Sequence, residues 1–130
     1  MCGIPEGVPN PFFKIPLNLP HASTIAHRIL YHARTRDAGP EALRIVGDLI
    51  AVLEPWRDRE DNGPAEGAEQ GRHQAAALGR ALVDEIEKNR TGSDRLGQAV
   101  RNLFECLALG EEGAAISLRA GENPNSTLRP

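Results

Sequence analysis

Aromatic residues and cysteines are scarce in this chain of 130 residues. Aromatic side chains make up 4% of it, as three Phe, one Trp and one Tyr. A folded interior must therefore be built mainly from aliphatic side chains. The two cysteines, Cys2 and Cys106, are too few for the disulfide framework of a small secreted domain. A signal peptide would have a charged start followed by an apolar stretch. The sequence does not show this pattern, so we expect a cytoplasmic protein.

Long apolar runs are also missing, so no segment is expected to cross a membrane. The most continuously apolar stretch, residues 41–54, lies between Pro40 and Pro55 and contains charged residues. On a helix its apolar side chains point in nearly every direction, and only a narrow polar edge remains. We therefore expect this helix to be the buried centre of the fold, packed against three companion helices. The polar edge consists of Arg44, Gly47, Asp48 and Ala51.

Hydrophobic periodicity predicts an all-α protein, a small bundle of four main helices. The prolines of residues 1–22 exclude a helix there and indicate an extended N-terminal arm with one apolar side. Residues 23–110 are expected to form the bundle, and residues 111–130 a mobile tail. Ser23 or Thr24 is expected to cap the first helix. The four helices are predicted at residues 23–36, 40–54, 65–89 and 93–109.

Two glycine features refine this prediction. Gly110 is expected to end the last helix. In the third predicted helix, small residues recur every four positions, which would allow another backbone to approach closely. This row consists of Gly67, Gly71, Ala75 and Gly79.

Charge is distributed unevenly along the chain, although the formal net charge is only -3. Residues 1–36 hold four basic residues and a single acid, whereas residues 37–70 hold nine acids and three arginines. Such asymmetry bears on the choice of partner rather than on the fold. The predicted outward side of the first helix is basic and carries His27, Arg28, Tyr31, His32, Arg34 and Arg36.

Recognised catalytic and ligand-binding patterns are absent from the sequence. No two of the four histidines lie four residues apart on one helix, as a helical metal site would need, so no metal ligand is predicted. No phosphate-binding loop of the Gly-x-x-x-x-Gly-Lys-Ser/Thr type occurs, and no cofactor is expected. We therefore predict no catalytic residue and no enzymatic activity.

The first four residues suggest a remote alternative. Met1-Cys2-Gly3-Ile4 resembles the opening of class II glutamine amidotransferases. The resemblance implies that removal of Met1 exposes Cys2 as nucleophile and terminal amine of an amidohydrolase or amidotransferase. It also implies a fold of two sheets between helical layers, which needs many strands where this sequence predicts almost none, and downstream arginine and Asn-Gly substrate motifs.

These observations leave a protein-interaction role as the main hypothesis: an adaptor, regulator or inhibitor that acts through surface contacts. Aromatic and arginine side chains dominate interface energetics, and a homodimer formed through the arm is one specific expectation. The alternative is a regulatory protein that binds nucleic-acid phosphates through the basic side of the first helix. The predicted contact residues are Phe12, Phe13, Ile15 and Leu17 of the arm, His27, Arg28, Tyr31, His32 and Arg34 of the first helix, and Trp56.

Overall fold

The computed structural model describes residues 16–118, and this part of the chain is all-α. No strand occurs within it, which confirms the predicted fold class and the four main helices. Residues 1–15, with most of the predicted arm, and residues 119–130 of the tail lie outside the described residues. The helices are α1 (Leu19–Thr35), α2 (Pro40–Leu53), α3 (Ala65–Asn89), α4 (Asp94–Cys106) and the short α5 (Gly110–Ala114), with a 3-10 turn at Glu54–Trp56.

The four long helices run alternately up and down, and α1 lies in the middle. It packs extensively against both α2 and α4, whereas α2 packs against α1 and α3 and makes no contact with α4. The backbone N–H of Asn18 donates to the carbonyl of Cys106 at 2.8 Å, so the start of α1 lies beside the end of α4. The short connections from α1 to α2 and from α3 to α4 make each of these pairs antiparallel.

The expectation that residues 41–54 form the centre, with three companion helices, is wrong. Helix α2 has two long neighbours, and Leu43, Ile50 and Val52 are only half-buried. The predicted polar edge is exposed as expected, and the Arg44 guanidinium donates to the Asp48 carboxylate at 2.9 Å. An apolar helix can thus lie at the side of a bundle when part of its apolar surface is only partly covered.

The core is aliphatic, as the scarcity of aromatic residues predicts. Its largest fully buried side chains are leucines and isoleucines from all four long helices, together with Phe104. Burial of each large aliphatic side chain contributes about 1.5–3 kcal/mol, which is the main stabilising term here. Representative members are Ile25 and Ile29 of α1, Leu49 of α2, Leu82 of α3 and Leu103 of α4.

Helix α1 begins four residues before the predicted start. The Asn18 side chain accepts a hydrogen bond from the backbone N–H of His21 at 3.0 Å and so caps the helix, in place of Ser23 or Thr24. Pro20 lies in the first turn, where its missing N–H costs nothing. A proline that was taken to exclude a helix therefore opens one, and Ser23 is buried inside it.

Helix α4 ends at Cys106, before the predicted end, because the chain turns at Ala108 with a φ of 61°. Gly110 then begins α5 instead of ending α4. The segment that follows packs back onto the bundle, and Leu118 is buried. The Arg80 guanidinium donates to both carboxylate oxygens of Glu112, at 2.6 and 2.9 Å. Residues 111–118, predicted as the start of a mobile tail, are thus packed onto the bundle.

The row of small residues on α3 accepts aromatic rings, not the backbone that was predicted. A Cβ atom added at Gly71 would lie 2.5 Å from the Trp56 ring, and one at Gly79 would lie 3.0 Å from the Phe104 ring. Glycine therefore provides the space that these two large side chains need in a closely packed interior.

Two alanine substitutions on α3, one helical turn apart, should have opposite effects. Gly67→Ala meets no atom within 4 Å and should raise the free energy of unfolding by roughly 0.5–1 kcal/mol, because alanine favours the helix. Gly71→Ala should lower it by about 1–3 kcal/mol, because the new methyl group overlaps Trp56. Urea denaturation of both variants measures this, and a stabilising Gly71→Ala would contradict the packing described.

Asn62 connects the loop before α3 to the start of α1. Its side-chain amide donates to the Leu17 carbonyl at 2.9 Å and accepts from the Leu19 N–H at 2.8 Å. Its own carbonyl accepts from the Trp56 indole N–H at 2.7 Å. Asn62 therefore satisfies the Leu17 carbonyl and the Leu19 N–H and also orients the tryptophan.

Asn62→Ala should lower the free energy of unfolding by about 1–3 kcal/mol, because it leaves a partly buried donor and acceptor without partners. The matched control is Asn89→Ala, which removes only an exposed side-chain hydrogen bond to Glu85 and should change stability by less than about 0.5 kcal/mol. Equal effects of the two substitutions in chemical denaturation would show that Asn62 has no special role.

Candidate functional site

The most exposed large hydrophobic side chain among residues 16–118 is Tyr31, in the second half of α1. It is 65% exposed, whereas the large apolar residues on the opposite side of α1 are buried. Its ring packs edge-on against the imidazole of His32, with ring centroids 5.3 Å apart. This contact restrains the ring without covering it, so that an aromatic surface remains available to a partner.

Basic side chains surround Tyr31 on the same surface. His27 and Arg28 precede it by four and three residues, and Arg34 follows by three, so helical geometry places them as its neighbours. His27, Arg28 and Arg34 are exposed, and His32 is half-buried. The structure thus brings together all five contact residues predicted on the first helix. We refer to these five residues, His27, Arg28, Tyr31, His32 and Arg34, as the α1 outer face.

The local sequence explains why this face is basic. Helix α1 contains no acidic residue, and His32 and Arg34 lie in its last turn, where positive charge interacts favourably with the exposed carbonyls. This stabilising effect explains the presence of His32 and Arg34 without any binding role. It does not apply to Arg28 or Tyr31, which lie further from the end of the helix.

The arginines of this region have no acidic partner in the part of the chain that the structure describes. Within residues 16–118, Arg28, Arg34 and Arg36 form no salt bridge. On neighbouring α2, by contrast, Arg44 binds both Glu41 and Asp48, and its guanidinium lowers the pKa of the Glu41 carboxyl below the usual value. Among residues 16–118, the guanidinium groups on α1 thus have no carboxylate partner.

The other predicted contact residues lie elsewhere. Leu17 is half-buried, and its carbonyl is bound to Asn62. Trp56 is half-buried as well, with its ring against Gly71. These contacts give both residues a role inside the fold, and their partner-binding role stays a prediction. Phe12, Phe13 and Ile15 lie outside the described residues, as do Met1 to Ile4.

Two features of the surface were not predicted as parts of a site. His21 and Thr24 are exposed and extend the α1 outer face toward the start of the helix. Beyond that start lies a loop that is rich in acids, which the Asn62 hydrogen bonds hold next to Leu17 and Leu19. The spacing of three and four residues in the sequence was the available signal for the first feature. The second depends on tertiary contacts.

Metal binding and membrane insertion receive no support from the described residues. Within residues 16–118 no group of three or more His, Cys, Asp or Glu side chains is placed to hold a metal ion. No helix in this range is long and apolar enough to span a membrane.

Comparison with known proteins gives no match: no protein-family model matches the chain, and neither a curated protein nor a solved structure is significantly similar to it.

Cys106 is buried at the end of α4 and is a free thiol. Burial, with a smaller contribution from the charge of Glu105, raises the pKa of the Cys106 thiol from 9.0 to about 11. The thiolate is the reactive form of cysteine, so this environment suppresses nucleophilic character.

In a Cys2→Ser chain, native Cys106 should react with iodoacetamide far more slowly at pH 8 than the same thiol in the urea-unfolded chain. Since the folded protein holds the thiol proton more tightly, the stability linked to this group is complete below pH 9 and is lost as the pH rises toward 11. Mass spectrometry of timed samples measures the alkylation. Equal rates in the folded and unfolded chains would show that the thiol is accessible.

Proposed function

We propose that this protein is a small helical protein-interaction module, an adaptor, regulator or inhibitor, that binds a partner protein through the α1 outer face. The observation that carries the proposal is an exposed tyrosine surrounded by arginines that have no acidic partner among the described residues. Tyrosine and arginine are among the residues that contribute most to binding at protein interfaces. Cytoplasmic location and the absence of catalytic chemistry are parts of the proposal.

The exposed tyrosine and the arginines of the α1 outer face explain how binding could be favourable. Tyr31 exposes apolar area that a partner would remove from water, at about 25 cal/mol for each Å². Arg28 and Arg34 would gain carboxylate partners without first breaking an ion pair within the described chain. Contacts of this kind also speed association with a surface of opposite charge.

Nucleic-acid binding is the second candidate, because α1 carries two arginines and three histidines with no acid. The acidic loop at the start of α1 weighs against it, since phosphates are repelled there. The formal net charge of -3 opposes it as well. The proposal therefore favours a protein partner.

Affinity capture from the native cell extract tests the proposal. Proteins retained by the wild-type chain should be lost with Arg28→Ala/Tyr31→Ser, and they should be kept with the control Arg95→Ala, which alters an exposed arginine of α4. Because the changed side chains are exposed, all variants should unfold within about 0.5 kcal/mol of wild type. Identical sets of retained proteins from all three chains would refute the α1 outer face as the binding surface.

The same variants separate the two candidates. Titration of a labelled 20-base-pair DNA duplex and a single-stranded RNA, at two salt concentrations, should show no specific binding. Strong binding that Arg28→Ala weakens would favour nucleic acid as the partner. The logarithm of the binding constant should then fall by about 0.9 per phosphate contact for each unit of the logarithm of the salt concentration.

A further inference from the structure

The acidic loop at the start of α1 comprises residues 54–61 and has the opposite charge to the α1 outer face. It carries four acids and two arginines. Glu54 pairs with Arg57 at 3.4 Å, and Asp61 pairs with Arg59 at 3.2 Å. Asp58 and Glu60 are exposed and form no salt bridge within residues 16–118. Two acids are therefore available here, as two arginines are on the α1 outer face.

The positions of the two charged regions are set by the fold. The 3-10 turn that begins the loop contacts α1, and Asn62 binds Leu17 and Leu19 just after the loop. Arg34 lies near the other end of the helix, about 22 Å away at 1.5 Å per residue. Helix α1 thus has an acidic group at its beginning and a basic group in its second half.

The charges of one copy match those of a second copy only when the two α1 helices are antiparallel. Two α1 helices placed side by side in parallel would set arginine against arginine and acid against acid. When the second helix runs in the opposite direction, the arginines of each copy face the acidic loop of the other. A two-fold axis near the exposed Thr24 brings Arg28 and Arg34 of each copy to the region around the start of the other α1, so that both contacts form at once, as a closed dimer requires.

We propose that the partner of the α1 outer face is a second copy of this chain, bound with its α1 antiparallel to the first. In this dimer Arg28 and Arg34 of each copy approach Asp58 and Glu60 of the other. Tyr31 packs against the start of the opposite α1, next to the exposed His21. The inference rests on the proposed function, because it assigns a partner to the same surface.

The size of the surface predicts the strength of association. A helix of 17 residues is about 25 Å long, which places the contact at the lower end of specific interfaces. Because charged groups make up much of this interface, the dimer should be weak and should dissociate as salt is added.

Charge reversal in the full chain tests the proposal by analytical ultracentrifugation. Arg28→Glu/Arg34→Glu should weaken self-association on the order of tenfold or more, and Asp58→Lys/Glu60→Lys should do the same. The four changes in one chain restore opposite charges at both contacts and leave the formal net charge at -3. This combined variant should dimerise again. Asp84→Lys/Arg95→Glu, a reversal of exposed charges elsewhere, is the matched control and should behave as wild type.

Three outcomes would overturn the dimer. A wild-type chain that is monomeric at every concentration and at low salt excludes it, whereas the protein-interaction proposal would still be judged by the capture experiment. A dimer that survives both single-patch reversals uses another surface, such as the N-terminal arm. Oligomers that keep growing with concentration would show that the contact does not close as a two-fold pair.

Discussion

Burial of one side of α1 is the constraint on which the rest of the structure depends. Leu19, Ile25 and Ile29 are inaccessible to water, and α2 and α4 cover them from the two sides. These helices do not touch each other, and α1 packs extensively against both of them. Because α2 and α4 flank the buried side, the other side of α1 stays in contact with solvent. The same packing that stabilises the fold therefore exposes Tyr31 and its basic neighbours.

Two large aromatic side chains are packed against glycine residues of α3. The rings of Trp56 and Phe104 pack against α3, where Gly71 and Gly79 leave room for them. The indole N–H of Trp56 also has a partner in the Asn62 carbonyl, as a half-buried polar group requires. Small residues on a helix are thus as much a sign of a nearby ring as of a nearby backbone.

Electrostatics distinguish the α1 outer face from the rest of the described surface. Elsewhere many charged side chains are paired over short distances, as in Arg44 with Glu41 and Asp48, or Arg80 with Glu112. Exposed pairs of this kind add little to stability. They do neutralise the surface locally, whereas Arg28 and Arg34, beside the exposed Tyr31, form no salt bridge within residues 16–118. The α1 outer face is basic and the loop at the start of the same helix is acidic. This difference in charge makes self-association a specific hypothesis.

The sequence by itself determined the all-α class, the approximate extent of α2 and α3 and the basic side of α1, because periodicity and turn residues act over a few neighbours. Only the tertiary structure decided which helix is central, since the degree to which α2 is covered depends on contacts between distant segments. It also decided where the segment before α1 lies, because Asn62, more than forty residues away, binds Leu17 and Leu19. For the same reason, the acidic loop could not be placed beside α1 from local pattern alone.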